Sequence, residues 1–327
     1  MIGVVAAVLA VGVAVIIVFA ASNRGEERTG VFGPGGSPST TASPRVPGSG
    51  SSRSTTTAAP GDDSGAVFST CTPIAQPFPI GARTCTIVRP PEGTGAARLP
   101  AVVLLHGWNT TPSQVLANGA WADAVMRHGL LVAAPDGLFG GWNAGGCCGI
   151  SQATQIDDTA FLQQVVAQLR SRRDVDPDRI YAVGESNGGM MVHRFLCVGA
   201  DTVAGAASVG GTPVAGCTPN APVPILEVHG TADMTVPYRG GQSAISWVLG
   251  VTFPAVESAL PTIAEAEGCS SSPAMRTSGS VRTTDWSGCR DGVPLRLVTI
   301  EGGAHAWFRD GTYDSTEEIL RFFGLAS

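Results

Sequence analysis

The chain has no lysine. All 20 of its basic residues are arginine, set against 26 acidic ones for a formal net charge of −6, and nowhere do they gather into a basic stretch. A phosphate backbone needs a cationic face, so nucleic-acid binding is excluded as a working hypothesis. A basic n-region is also missing from the amino end, where residues 2–21 run apolar without interruption, long enough to cross a bilayer as a helix. Val18-Phe-Ala20 offers a small-residue cleavage site, while Arg24 and Arg28 beyond the run are offset by Glu26 and Glu27, so charge does not set a topology. Cleaved signal and membrane anchor both stay open for residues 1–22; either way the protein is expected to be extracellular or at the cell surface, touching membrane only through this segment. No cysteine follows the run closely, which removes the basis for a lipid-modified N-terminal cysteine.

Large apolar side chains are scarce between Gly30 and Gly65, where Gly, Pro, Ser and Thr dominate. Such a composition cannot bury enough surface to fold, so residues 23–66 read as a disordered linker, either a tether or a remnant without a task. The remaining residues 67–327 are of a size for one catalytic domain. Its eight cysteines lack zinc-like spacing, and in an exported chain they point to disulfides. Cys71 with Cys85 and Cys269 with Cys289 enclose short loops and are the preferred pairs. For Cys147, Cys148, Cys197 and Cys217 three connectivities remain; two of them bridge the adjacent pair separately to Cys197 and Cys217, pinning the loop near Trp142 to the helix after Ser186.

Strands and helices alternate. Leu99–Leu105, Leu130–Ala134, Arg179–Val183, Val203–Val209, Val223–Val228 and Leu295–Ile300 read as strands; Gln114–Arg127, Asp158–Arg170, Gly188–Val198, Val256–Glu267 and Thr316–Phe323 read as helices. This is the pattern of an α/β fold, a mostly parallel central sheet flanked by helices. Asp157 and Asp158 open a helix, where carboxylates offset exposed N–H groups; they read as caps and not as a catalytic pair.

The chemistry is concentrated at strand ends. Gly184-Glu-Ser-Asn-Gly188 fits G-x-S-x-G, with Ser186 at a sharp strand-to-helix turn whose flanking glycines remove Cβ atoms that would collide. A serine hydroxyl needs an imidazole to take its proton and a carboxylate to hold that imidazole in one tautomer. His229-Gly-Thr-Ala-Asp233 follows one strand and Gly302-Gly-Ala-His305 another, giving Asp233 as the acid and His305 as the base. His229 reads as a hydrogen-bonding scaffold residue, His193 as a packing residue, and His128 as the end of a helix. Donors for an oxyanion are the backbone N–H groups of Asn187 and of Trp108, beside Gly107 in the loop after Leu105; His106 there is expected to bond backbone. Trp142 and Trp307 are candidate substrate walls.

Taken together, Leu105-His-Gly107, Pro135-Asp-Gly137, Gly141-Trp-Asn-Ala-Gly-Gly-Cys-Cys-Gly149, Asp157-Asp158, Val175-Asp-Pro-Asp-Arg-Ile-Tyr181, the Gly-Glu-Ser-Asn-Gly-Gly-Met-Met elbow, His229–Asp233 and Gly302–His305 resemble the secreted polyhydroxybutyrate depolymerase and feruloyl esterase group of the α/β-hydrolases. The resemblance spans roughly residues 70 to 325. It implies carboxylic ester hydrolysis through an acyl-serine intermediate on Ser186, Asp233 and His305, with no metal or organic cofactor. The substrates it brings are polyhydroxybutyrate-type polyesters, feruloyl or acetyl esters of polysaccharide, and short acyl esters. Glu185 stands where the group more often has an apolar residue, and Phe308 where it often has proline. The competing readings are a non-catalytic cell-surface binding module that retains the fold, and an acyltransferase or serine peptidase on the same three residues.

Overall fold

The computed structural model describes residues 64–76, 81–93 and 98–326. The signal-or-anchor expectation for 1–22, and the linker expectation for residues 23–63, lie outside the described residues. Ten strands make one sheet, in the order β1 (Val67–Thr70), β4 (Cys85–Arg89), β6 (Leu131–Pro135), β5 (Leu99–Leu105), β7 (Val175–Glu185), β8 (Gly205–Val209), β9 (Ile225–Gly230), β12 (Leu295–Ile300), β11 (Val281–Trp286) and β10 (Ala274–Ser278). From β6 to β12 neighbouring strands run parallel; β1, β4, β11 and β10 join antiparallel at the two margins. β2 (Ile74–Gln76) and β3 (Gly81–Arg83) pair separately.

The parallel strands are apolar along their whole length because both of their faces are covered. Alternation along β5 divides the core: Ala101, Val103 and Leu105 face one layer, Val102 and Leu104 the other. On the first side lie Phe161, Val165 and Leu169 of α4 (Asp158–Ser171), Met191 and Phe195 of α5 (Asn187–Gly199), and Leu260 and Ile263 of α7 (Val256–Ala266). On the second lie Val115 of α1 (Pro112–Asn118), Trp121 and Val125 of α2 (Trp121–His128), and Ile319 and Leu320 of α8 (Ser315–Phe322). Short helices α3 (Gly149–Ala153) and α6 (Ala244–Leu249) lie in the loops after β6 and β9.

One expectation changes and one open choice is resolved. The helix read over Gln114–Arg127 is two helices, α1 and α2, because Trp121 folds back beneath Gly119: a Cβ there would lie 2.3 Å from the indole Nε1, and Ala120 turns the chain with φ 44°. Disulfides join Cys71 to Cys85 and Cys269 to Cys289, but the other four pair as Cys147–Cys148 and Cys197–Cys217. No bridge ties the Trp142 loop to α5. Cys197, near the carboxyl end of α5, instead faces the loop after β8, with the Cα atoms of 197 and 217 6.0 Å apart. Closing that 20-residue separation removes freedom from the unfolded chain. Replacing both cysteines by serine is expected to lower stability by about 3 kcal/mol, seen as an earlier urea midpoint with the folded circular dichroism unchanged.

Candidate active site

Parallel strands bring their carboxyl ends to one edge of a sheet, and loops opening there meet. β5 delivers His106 and Trp108, β7 delivers Ser186, β9 delivers Asp233, and β12 delivers His305. Ser186 sits between β7 and α5 with φ 54° and ψ −120°, a conformation that persists only where its surroundings enforce it. The enforcement is close packing. A Cβ on Gly184 would come within 2.3 Å of the Gly188 carbonyl, and one on Gly188 within 2.3 Å of the Leu105 carbonyl oxygen, so the first turn of α5 can lie directly on the ends of β7 and β5. The Ser186 N–H donates to the Val209 carbonyl at 2.8 Å, fixing the turn to β8.

The loops that bear Asp233 and His305 are stitched to each other. Thr231 N–H donates to the Ile300 carbonyl, Ala232 N–H to that of Gly303, and Gly302 N–H to Thr231 Oγ1. His305 Nε2 then stands 2.9 Å from Ser186 Oγ, and its Nδ1 2.6 Å from Asp233 Oδ2. The carboxylate only accepts, so the ring hydrogen is on Nδ1 and Nε2 is free to accept from the serine hydroxyl. The other Asp233 oxygen accepts from the N–H groups of Thr235 and Val236, both at 2.8 Å. Burial alone would raise the Asp233 pKa; hydrogen bonds from His229, His305 and the backbone outweigh it and hold the carboxyl well below the usual range. Glu185, beside Ser186, goes the other way: burial pushes its pKa up against a hydrogen bond from Asn118 and the attraction of His305 and His106.

The N–H groups of Trp108 and Asn187 have no intramolecular acceptor among the described residues. Gly107 abuts the Ser186 Cβ, which brings the Trp108 loop against Ser186. The Asn187 side chain is buried and clamps the neighbouring loop, its Oδ1 accepting from Trp142 N–H at 2.7 Å and its Nδ2 donating to the Trp142 carbonyl at 3.1 Å. His106 bonds backbone: Nε2 accepts from Gly137 N–H at 2.9 Å and Nδ1 meets the Gly107 carbonyl at 2.8 Å.

The two tryptophans read as substrate walls lie inside the protein. Trp142 is wholly buried, its Nε1 donating to the His106 carbonyl, and Trp307 packs edge-on against Trp121 with its Nε1 bonded to Thr316 Oγ1. An indole with its N–H satisfied internally is a packing residue. Three exposed apolar side chains went unpredicted: Phe139 in the Trp142 loop at 61%, Ile150 on α3 at 51%, and Met234, next to Asp233 in the loop after β9, at 86% exposure. Phe139 and Ile150 belong to the Trp108 cluster, since Asn109 N–H donates to the Gly140 carbonyl, Ser151 Oγ donates to Leu138, and Gly149 lies on the Trp108 ring.

Asp157 does cap α4, accepting from Ala160 N–H, but Asp158 is no cap. It is wholly buried, with Oδ1 2.7 Å from Arg83 Nη1 and Oδ2 accepting from Asn143 N–H at 2.7 Å. Arg83 in turn lies over the Phe161 ring at 3.7 Å and donates to the Asp136 carbonyl. Burial raises the Asp158 pKa and Arg83 opposes it. This pair anchors the Trp142 loop to α4. Asp158→Asn leaves the guanidinium without its counter-charge and is expected to lower stability by about 3–5 kcal/mol, read as a shift of the urea midpoint.

No protein-family model matches the chain. It is 35% identical over 231 residues to feruloyl esterase B of Piromyces equi, covering 67% of this chain and 42% of that protein. It is 29% identical over 238 residues to the putative esterase NocK of Nocardia uniformis, covering 66% of each, and 30% identical over 182 residues to feruloyl esterase C of Emericella nidulans, covering 55% of this chain and 59% of the relative. The chain thus spans between two fifths and two thirds of the length of these relatives. Among solved structures, an acetyl xylan esterase from Aspergillus awamori superposes with a TM-score of 0.57 at 15% identity, over 79% of this chain and all of the other. The chain has the α/β-hydrolase fold, and the sequence relatives it matches are named as esterases.

Proposed function

We propose that the protein is an exported carboxylic ester hydrolase working through an acyl-serine intermediate. The observation that carries this reading is the unbroken line Ser186 Oγ, His305 Nε2, His305 Nδ1, Asp233 Oδ2, with contacts of 2.9 and 2.6 Å, on a strained turn. Ser186 Oγ attacks the ester carbonyl carbon as its proton passes to His305 Nε2. The carbonyl oxygen, now anionic, is met by the N–H groups of Trp108 and Asn187. His305 gives the proton to the alkoxide, the alcohol departs, and water repeats the sequence on the acyl-serine to release the acid. Asp233 holds the ring in the working tautomer and stabilises the imidazolium that forms. None of these steps calls on a metal or organic cofactor.

Two of the relatives are named for feruloyl esters, and Phe139, Ile150 and Met234 are exposed on loops at the carboxyl edge of the sheet, apolar surface suited to an aromatic acyl group. A feruloyl-type ester is therefore the proposed substrate ahead of acetyl esters and hydroxybutyrate oligomers. Four disulfides among the described residues support an oxidising compartment.

A fluorophosphonate probe should label the protein, and Ser186→Ala should abolish both labelling and ester turnover with the fold intact; an unlabelled wild type would favour a binding module. Asp233→Asn should reduce kcat on the order of 10⁴-fold, measured on methyl ferulate. A panel of methyl ferulate, p-nitrophenyl acetate and butyrate, and hydroxybutyrate oligomers should favour the ferulate by several tens-fold (about 10 to 200-fold being the scale of a methylene-sized difference). Because the Asp233 carboxyl is held well below the usual range, it stays ionised as His305 takes up its proton, so in Glu185→Gln, which removes the other carboxyl beside Ser186, the acid limb of kcat/KM should fall with the slope of a single proton. A two-proton slope in that variant above about pH 4, the ordinary carboxylate value, would count against the assignment of Asp233.

A further inference from the structure

β9, which presents Asp233, carries two ionisable residues in an otherwise apolar strand, Glu227 and His229, and both are wholly buried. Glu227 Oε2 meets His193 Nε2 of α5 at 2.9 Å. His229 Nε2 lies 2.9 Å from the Val236 carbonyl and 3.3 Å from Asp233 Oδ2. Both of those oxygens only accept, so Nε2 bears a hydrogen. The other ring nitrogen, Nδ1, faces Glu227 Oε1 at 3.6 Å, and neither atom has a hydrogen-bond partner.

A neutral ring with its hydrogen on Nε2 would turn a lone pair toward a carboxylate oxygen, leaving two buried acceptors opposed and unsatisfied. One hydrogen between them removes both defects. On Nδ1 it creates a cation flanked by two carboxylates, Glu227 and Asp233. On Oε1 it discharges Glu227, leaving His193 without its anion and Asp233 facing a neutral His229 ring. The ring is the better place. The other groups around His229 do not change this: the Tyr238 ring lies 5.8 Å away, with its hydroxyl bonded to Thr299 of β12 and Glu257 of α7, and His305 lies beyond Asp233. Burial by itself would lower the His229 pKa, but its interactions with Asp233 and Glu227 prevail and raise it to about 10.

We propose that His229 is a standing imidazolium at neutral pH and a positioning residue for the reaction: by sharing the negative charge of Asp233 it keeps His305 unprotonated, and so ready to accept the Ser186 proton, at a lower pH than a lone Asp–His pair would allow. The effect on rate rests on the hydrolase reading; the charge state does not. The sign follows from the geometry. Removing the cation leaves Asp233 with its full charge to stabilise a protonated His305, so His305 would gain its proton at higher pH.

Imidazole ¹⁵N NMR on the whole, unaltered protein at neutral pH tests the charge. Two protonated-type nitrogens at His229 support it, and one bare, pyridine-type nitrogen overturns it. His229→Gln keeps a donor for the Val236 carbonyl and loses the charge. Its acid limb of kcat/KM should move upward by on the order of one pH unit, and an unmoved or downward limb overturns the positioning role. The same spectra follow His305 through its titration in wild type and variant. The shift can therefore be read even if no ester is turned over, which separates failure of this inference from failure of the hydrolase reading.

Discussion

Everything at the site depends on how closely the first turn of α5 approaches the ends of β5 and β7. Side chains at 184 or 188 would collide with backbone, so two glycines are the condition for the turn, and the turn is the condition for Ser186 pointing out of the sheet edge. The same closeness sets Asn187 where its side chain can hold Trp142 while its N–H stays unbonded within the protein. The placement of Ser186, the Asn187 N–H and the support of the Trp142 loop are thus consequences of one steric arrangement.

The rest of the site is organised in pairs of loops that fix each other. Those after β9 and β12 exchange backbone hydrogen bonds before either presents its functional side chain, so the short contacts of His305 are inherited from main-chain geometry. On the other side, Arg83 and Asp158 hold the loop that carries Trp142 through a buried ion pair and the N–H of Asn143. The buried charges of Arg83 and Asp158 are spent on holding loops.

How much of this could be read in advance followed the type of signal. Apolar runs such as Leu99–Leu105 and Leu295–Ile300 were legible to the residue because a strand covered on both faces admits nothing else. The margins were not: β10 is exposed throughout, and β1 and β4 are short, so neither apolar length nor clean alternation marked them. Ser186, Asp233 and His305 could be picked because each follows a strand end, and the structure brings those three side chains together. Trp142 and Trp307 were misread because an indole in a glycine-rich loop gives no sign of which way it faces; only the partner of its N–H decides. Asp158 looked like a cap since its charge partner, Arg83, is far off in sequence on an unrecognised strand. A signal did exist for the buried cluster behind Asp233. A glutamate within Ile225-Leu-Glu-Val-His229 is out of place in a covered strand unless something pairs with it.

The sheet does not close on itself. β10 leaves one rim with an outer row of backbone N–H and C=O groups, the kind of edge on which other chains can add as strands. Proteins commonly guard such rims with lysine; here the guard is Arg276, exposed and paired with Asp285 across β11. A guanidinium does not give up its proton in alkali as an ammonium does. The charge that discourages strand addition at this rim therefore persists into alkaline solution, where a lysine-guarded edge would turn neutral and sticky.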